Sequence, residues 1–123
     1  MGRSYHHYGI PTTEKKEGET LVETHDFKFF STPFEANKWN IQWHRFPKDH
    51  GLPELVTQVP HIGFHVDNLD AELKGAKILF GPYEPLTGYR TAMIEEHGVP
   101  IELIETSLTN EQLSALEKKE LGK

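Results

Sequence analysis

The sequence predicts an α+β fold, and three observations carry the prediction. Short runs rich in β-branched and aromatic residues recur without a helical period. Two stretches carry helix-capping signals. The second half of the chain echoes the first. In order, the elements read β-β-β and then β-α-β-β-β-α.

Residues 6–12 form a β-type run stopped by Pro11, and 13–19 (TEKKEGE) form a charged, solvated loop. Residues 20–32 (TLVETHDFKFFST) are β-rich, and 33–37 form a turn. Residues 38–46 (KWNIQWHRF) alternate Trp39, Ile41, Trp43 and Arg45 with Asn40, Gln42, His44 and Phe46, a strand with large residues on one face and mostly polar ones on the other. Residues 47–59 read as a linker. In the second half, 60–66 (PHIGFHV) is a strand with His61, Gly63 and His65 on one face. Asp67 or Asn68 caps a short helix through Lys74 that Gly75 ends, and 77–80 is a short strand before a loop running from Gly81 to Gly88. Residues 89–95 and 100–106 are strands joined by Glu96-His97-Gly98-Val99, a hairpin signal. Thr109 and Gln112 form a capping box that opens a C-terminal helix to about Leu121, with Leu113 and Leu116 inward. The chain is expected to be one domain, with module one at about 5–46, module two at about 60–106 and the helix at 109–121.

The 123 residues include eight His and no Cys, which excludes disulfides, iron–sulfur clusters and thiolate zinc sites. Any metal site must use His, carboxylates, amides or water. A net charge of −6 argues against nucleic acid or an anionic membrane as partner. No window approaches 18 apolar residues, and the N-terminus lacks the apolar stretch of a signal peptide. The expectation is a cytoplasmic protein. Hydrophobic content of 36% and a mean hydropathy of −0.59 imply a modest core that a partner subunit can complete.

The internal echo is specific. His7-Tyr8-Gly9-Ile10-Pro11 aligns with His61-Ile62-Gly63-Phe64-His65, and Ile41-Gln42-Trp43-His44 aligns with Ile101-Glu102-Leu103-Ile104. The first copy is six residues shorter between these marks, where the second has its helix, so the first module is expected to be degenerate. Glu102 lies in an apolar strand interior, where a carboxylate must be paired or bind a metal. Pseudo-twofold packing of the two copies would bring His7, His61 and Glu102 to one concave face. Two imidazoles and one carboxylate make a facial set with open positions, suited to Fe, Mn, Zn or Ni.

The ordered set His61-Ile-Gly-Phe-His-Val-Asp-Asn-Leu69, Gly81-Pro82, Gly88-Tyr-Arg-Thr-Ala92 and His97-Gly-Val-Pro-Ile-Glu-Leu-Ile-Glu105 resembles the second βαβββ module of the vicinal oxygen chelate superfamily. That superfamily includes glyoxalase I, methylmalonyl-CoA epimerase, extradiol dioxygenases and the fosfomycin and bleomycin resistance proteins. The resemblance implies two βαβββ modules forming a cup-shaped mixed sheet and a homodimer. It implies a divalent metal ion on His7, His61 and Glu102, with Gln42 where four-ligand members carry a fourth ligand, or His44 in its place. It also implies a small-molecule substrate with vicinal oxygens, with Glu102 moving a proton. On position, His44 and His65 are expected to relay protons or orient substrate, Arg90 to bind a substrate carboxylate or phosphate, and Tyr83 to close the pocket. The leading expectation is a glyoxalase- or epimerase-like enzyme. The alternatives are a metal-free protein that sequesters a small ligand and an Fe(II) dioxygenase. His6 is expected to face outward, His25, His50 and His97 to be solvated, and Trp39 and Trp43 to pack in the core or between subunits.

Overall fold

The computed structural model describes residues 2–33 and 37–122. Eight strands form one mixed sheet that curls into a nearly closed cup. The strands are β1 (Arg3–Thr12), β2 (Thr20–Glu23), β3 (Lys28–Ser31), β4 (Ile41–Arg45), β5 (His61–Val66), β6 (Lys77–Leu86), β7 (Tyr89–Glu96) and β8 (Val99–Thr106). Three short helices accompany them: α1 (Glu54–Gln58), α2 (Leu69–Leu73) and α3 (Asn110–Leu116), the last continuing into a π-helical stretch, Glu117–Gly122.

The strand order is β2-β3-β4-β1-β5-β8-β7-β6. Each half repeats one plan. The first strand pairs parallel with the last (β1 with β4, β5 with β8), and the two first strands meet antiparallel at the centre. The register makes the repeat literal. Gly9 stands opposite Gln42 just as Gly63 stands opposite Glu102, and across the centre His7 faces Gly63 while Gly9 faces His61.

One face of the second half is covered by α2. There Leu69, fully buried, packs with Val66, Ala92, Ile94 and Leu103. Asn68 starts this helix by accepting a hydrogen bond from the Ala71 amide, leaving one orphan donor fewer at its N-terminus. The other face is closed at one end by α3, whose Leu113 is fully buried against Leu86, Tyr89 and Ile104. The expected capping box is present: Thr109 accepts from the Gln112 amide, and the Gln112 side chain accepts from the Thr109 amide. With cover on both sides, β7 buries Tyr89 and Thr91 through Ile94 rather than alternating. Among the described residues no helix is long and apolar enough to cross a membrane.

Several elements differ from the sequence expectation. The run 20–32 is two strands, because Thr24 Oγ1 accepts from the amides of Asp26 and Phe27 and turns the chain between them. Strand β4 starts at Ile41 rather than at 38. Asn37 Oδ1 accepts from the amides of Trp39 and Ile41, and Asn40 takes φ +56°, so a side-chain-built turn fills the start of the expected strand. On β4 the polar face is the buried one: Gln42 and His44 are buried, whereas Trp43 is only half-buried, with the Lys16 ammonium over its ring. Trp39, expected in the core or between subunits, is 64% exposed. The expected turn at 33–37 includes residues 34–36, which lie outside the described residues.

The expected linker 47–59 contains α1, which plugs Val56 into the cup with Leu52. Strand β6 runs on past Gly81 and Pro82, through three register shifts against β7 that let a kinked chain keep pairing. The 96–99 hairpin is as expected, with positive φ at His97 and Gly98.

Candidate metal centre

The site begins with two glycines. His7 and Gly9 share one face of β1, and His61 and Gly63 share the same face of β5, because residues two apart on a strand point the same way. Antiparallel pairing then sets each imidazole over the other strand's glycine. A Cβ on Gly63 would lie 2.3 Å from His7 Cε1, and one on Gly9 would lie 2.1 Å from His61 Cε1. Only glycine admits the ring at such an approach. The His-x-Gly repeat is therefore one steric device used twice, and it folds both rings inward across the centre line.

The rings converge on Glu102. His7 Nε2 is 3.0 Å and His61 Nε2 3.2 Å from Glu102 Oε1, and the two nitrogens are 3.1 Å apart. Three such atoms turned toward one another need a shared hydrogen or a metal ion between them. At metal–ligand bonds of about 2.1 Å, one ion can reach all three donors. The donor set and its spacing thus fit a divalent ion with open positions. Among the described residues, His7, His61 and Glu102 form a group that could hold one.

The surroundings orient each donor. His6 Nδ1 lies 2.8 Å from His7 Nδ1, and the tautomer with the shared hydrogen on His7 Nδ1 is the one that turns the His7 Nε2 lone pair to the centre when an ion is bound. His6 is buried rather than outward-facing, because the β1–β5 register shifts between Tyr5 and His7, a bulge that puts neighbouring side chains on one side. Thr91 Oγ1, fully buried on β7, lies 2.8 Å from Glu102 Oε2 and 2.9 Å from the Leu103 carbonyl, and its one hydrogen serves either acceptor. Strand alternation cannot reveal the bulge at His6. Thr91 does stand out in the sequence as a hydroxyl leading into the apolar run Ala92-Met93-Ile94.

Burial by itself would raise the Glu102 pKa. The charge and hydrogen bonds of His7 and His61 outweigh it and hold the carboxyl well below its ordinary range. Burial pushes His61 below its ordinary value against the pull of Glu102. His44 is pushed well below by burial and then by charge on His61 and His7, so it is neutral at pH 7.

The other expected site residues separate into two groups. Gln42 and His44 line the cup beside His61, and the His44 ring is 5.0 Å from the His61 ring. Gln42 Nε2 donates to the Thr32 carbonyl at 2.9 Å and to Ser31 Oγ at 3.3 Å, which leaves its carbonyl oxygen as the atom available to an ion or ligand. Tyr83 reaches the same cavity from β6. Burial of its hydroxyl, and then the Glu102 charge, push its pKa well above the ordinary value, so it stays protonated.

His65 and Arg90 lie elsewhere, together in a separate surface depression. His65 Nε2 contacts the Thr106 carbonyl at 2.8 Å, and Arg90 pairs with Asp70 of α2 at 2.9 Å. His25 and His97 are solvent-exposed as expected, but His50 is half-buried and its Nδ1 accepts from the Leu52 amide.

The cavity above the triad offers about 70 Å³ to the centres of water-sized molecules, several times the roughly 10–15 Å³ one water needs. Its exposed wall is mainly apolar and includes Phe29, Phe80, Met93 and Val56, with Glu102 and His61 among its polar groups.

Comparisons with protein-family models, curated proteins and solved structures return no match to this chain. The fold and the site therefore define the class on their own terms: a mostly-sheet, nearly closed cup holding a His/His/Glu cluster. That combination is compatible with a vicinal oxygen chelate fold.

Proposed function

We propose that this protein is a metal-dependent enzyme of the glyoxalase or epimerase kind, acting on a small substrate with two adjacent oxygens. The observation that carries the reading is the convergence of His7 Nε2, His61 Nε2 and Glu102 Oε1 within 3.0–3.2 Å of one another beside an apolar cavity. The His7, His61 and Glu102 side chains would hold the ion. A bound divalent ion would supply Lewis acidity to the two oxygens and so acidify the C–H next to the polarised carbonyl. Glu102, held ionised by its histidine partners, is the carboxylate that takes that proton and returns it. Thr91 Oγ1, 2.8 Å from its second oxygen, orients the carboxylate when its hydrogen turns there rather than to the Leu103 carbonyl. The apolar walls exclude water from the reacting carbon.

The test is solvent-deuterium exchange, followed by NMR, at the α-carbon of a panel of α-hydroxy ketones and α-hydroxy acids. Exchange that needs added divalent metal and is lost in Glu102→Gln supports the reading. Absence of exchange across the panel in metal-loaded protein refutes it. The apolar cavity also suits the second reading, a metal-free protein that sequesters a small ligand. Failure to bind any of Ni, Zn, Mn or Fe would favour that alternative.

A further inference from the structure

We infer that the outer face of β1, β4 and β5 is where two copies of this chain pack, sheet against sheet, in a twofold dimer. The inference is independent of the metal centre, which lies on the opposite face of the same strands.

The face is uncovered because one half of the fold lacks a helix. In the second half α2 lies over Val66, Ala92, Ile94 and Leu103. At the matching place in the first half, the chain runs from Thr12 to Thr20 without a helix. Lys16 of that segment covers the Trp43 ring, and Glu19 holds Arg45 over Phe30. What stays open is one apolar surface of Tyr5, Tyr8, Trp39, Ile41, Ile62 and Phe64. The strand register sets these side by side: Tyr5 stands opposite Phe64, and Tyr8 lies between Ile41 and Ile62. Tyr5 is 52% and Trp39 64% exposed. At about 150–250 Å² per large aromatic side chain, the patch presents roughly 400 Å². That is about half of the ~800 Å² each partner gives to a standard interface, the share of an apolar centre inside a polar rim.

The chemistry of the patch fits a second copy. None of the described residues lining it is charged, in a chain of net charge −6, so two copies meet there without opposing carboxylates. Beside Phe64 the Arg3–Glu72 pair is already neutral at 2.9 Å, and the Lys38 ammonium lies 5.1 Å over its own Trp39 ring. The Tyr5 hydroxyl donates to the Trp39 carbonyl at 2.8 Å, so covering that ring strands neither atom. Other occupants fit less well. Strands β1, β4 and β5 each have a hydrogen-bonded neighbour on both sides, so an extended peptide finds no free edge. A lipid surface calls for free cations around the patch, and Arg3 is spent on Glu72. Face-to-face packing of two sheets remains.

The experiment is sedimentation velocity on the full chain from about 1 to 200 µM. The expected result is a reversible change from 14.1 kDa to twice that mass, with a Kd of roughly 1–50 µM for an interface of this size. Trp39→Asp sets a charge in the apolar centre and raises that Kd at least about 100-fold. Ile78→Asp, at an exposed apolar residue of β6 outside the patch, leaves it unchanged. Circular dichroism checks that both variants stay folded. A second readout leaves the patch intact: in Trp43→Phe, Trp39 is the one tryptophan left, and its emission moves to shorter wavelength with the same Kd as the ring leaves water.

A chain that stays at 14.1 kDa up to about 200 µM overturns the inference. So does a dimer that survives Trp39→Asp, or a Trp39 emission that does not change with concentration. In the monomeric case, flotation with phosphatidylcholine–phosphatidylserine vesicles that Trp39→Asp abolishes would give the face to a lipid surface instead.

Discussion

Gly63→Ala tests the steric basis of the site. The added Cβ would lie 2.3 Å from His7 Cε1, 2.6 Å from Nδ1 and 2.9 Å from Nε2. Ordinary contact begins near 3.4 Å, so the ring must retreat by about 1 Å or the strands must part. His7 is 1% exposed and held between His6 and Glu102, which leaves it no free space. Overpacking of this kind costs about 1–3 kcal/mol, which for a chain of this length lowers Tm by roughly 4–12 °C. A ring displaced by about 1 Å opens the donor triangle, so divalent-ion affinity falls by at least the 10–100-fold seen when a ligand's outer partner is lost.

Thermal unfolding and calorimetric titration with Ni(II) measure the two effects. Gly75→Ala is the comparison: at φ +76° nothing lies within 4 Å of its Cβ, so it carries a backbone cost of about 1 kcal/mol and leaves ion affinity unchanged. A Gly63→Ala protein with the parent Tm and the parent ion affinity would show that the glycine does not position the His7 ring.

Two further outcomes follow from the shell around the triad. His6→Phe keeps a ring beside Tyr89 but removes the acceptor for His7 Nδ1, so Ni(II) affinity falls roughly 10–100-fold while one ion per chain still binds; unchanged affinity in the same titration would exclude a tautomer-setting role. His44 has a folded pKa well below its ordinary 6.5. Its stabilising contribution is therefore present above pH 6.5 and is lost as pH falls through and below that value, because the unfolded chain takes up the proton first. Urea unfolding at pH 7 and pH 5 is expected to show a smaller acid-side loss in His44→Leu than in the parent, and an equal loss would contradict it.

Much of the site was legible in the sequence, and the reason is geometric. The His-x-Gly pair recurs because the glycine must clear the opposite imidazole, so a packing constraint between strands writes itself as a short repeat. Glu102 stood out because a carboxylate in Pro-Ile-Glu-Leu-Ile has no cheap place to go. The alignment of Gln42 with Glu102 is reproduced in the strand registers.

What the sequence hid depends on departures from regular pairing. The bulge that turns His6 inward leaves no mark in the alternation, and the register shifts of β6 disguise one long strand as a short strand and a loop. On β4 Trp43 was expected in the core or between subunits, and it is only half-buried. The cup buries the polar face, because Gln42 and His44 finish hydrogen bonds and a cavity wall there. Arg90 and His65 were placed near the site by chain position alone. Their partners Asp70 and Thr106 lie at another depression of the surface.

The central claim is that His7, His61 and Glu102 together form one metal centre. Titrating the protein with Co(II) while recording its visible absorption tests this most directly, because the bands change as protein ligands replace water around the ion. One ion is expected per chain, with binding lost in each of His7→Ala, His61→Ala and Glu102→Gln while the proteins stay folded. Binding that survives all three substitutions, or no Co(II) uptake by the parent protein, would contradict it.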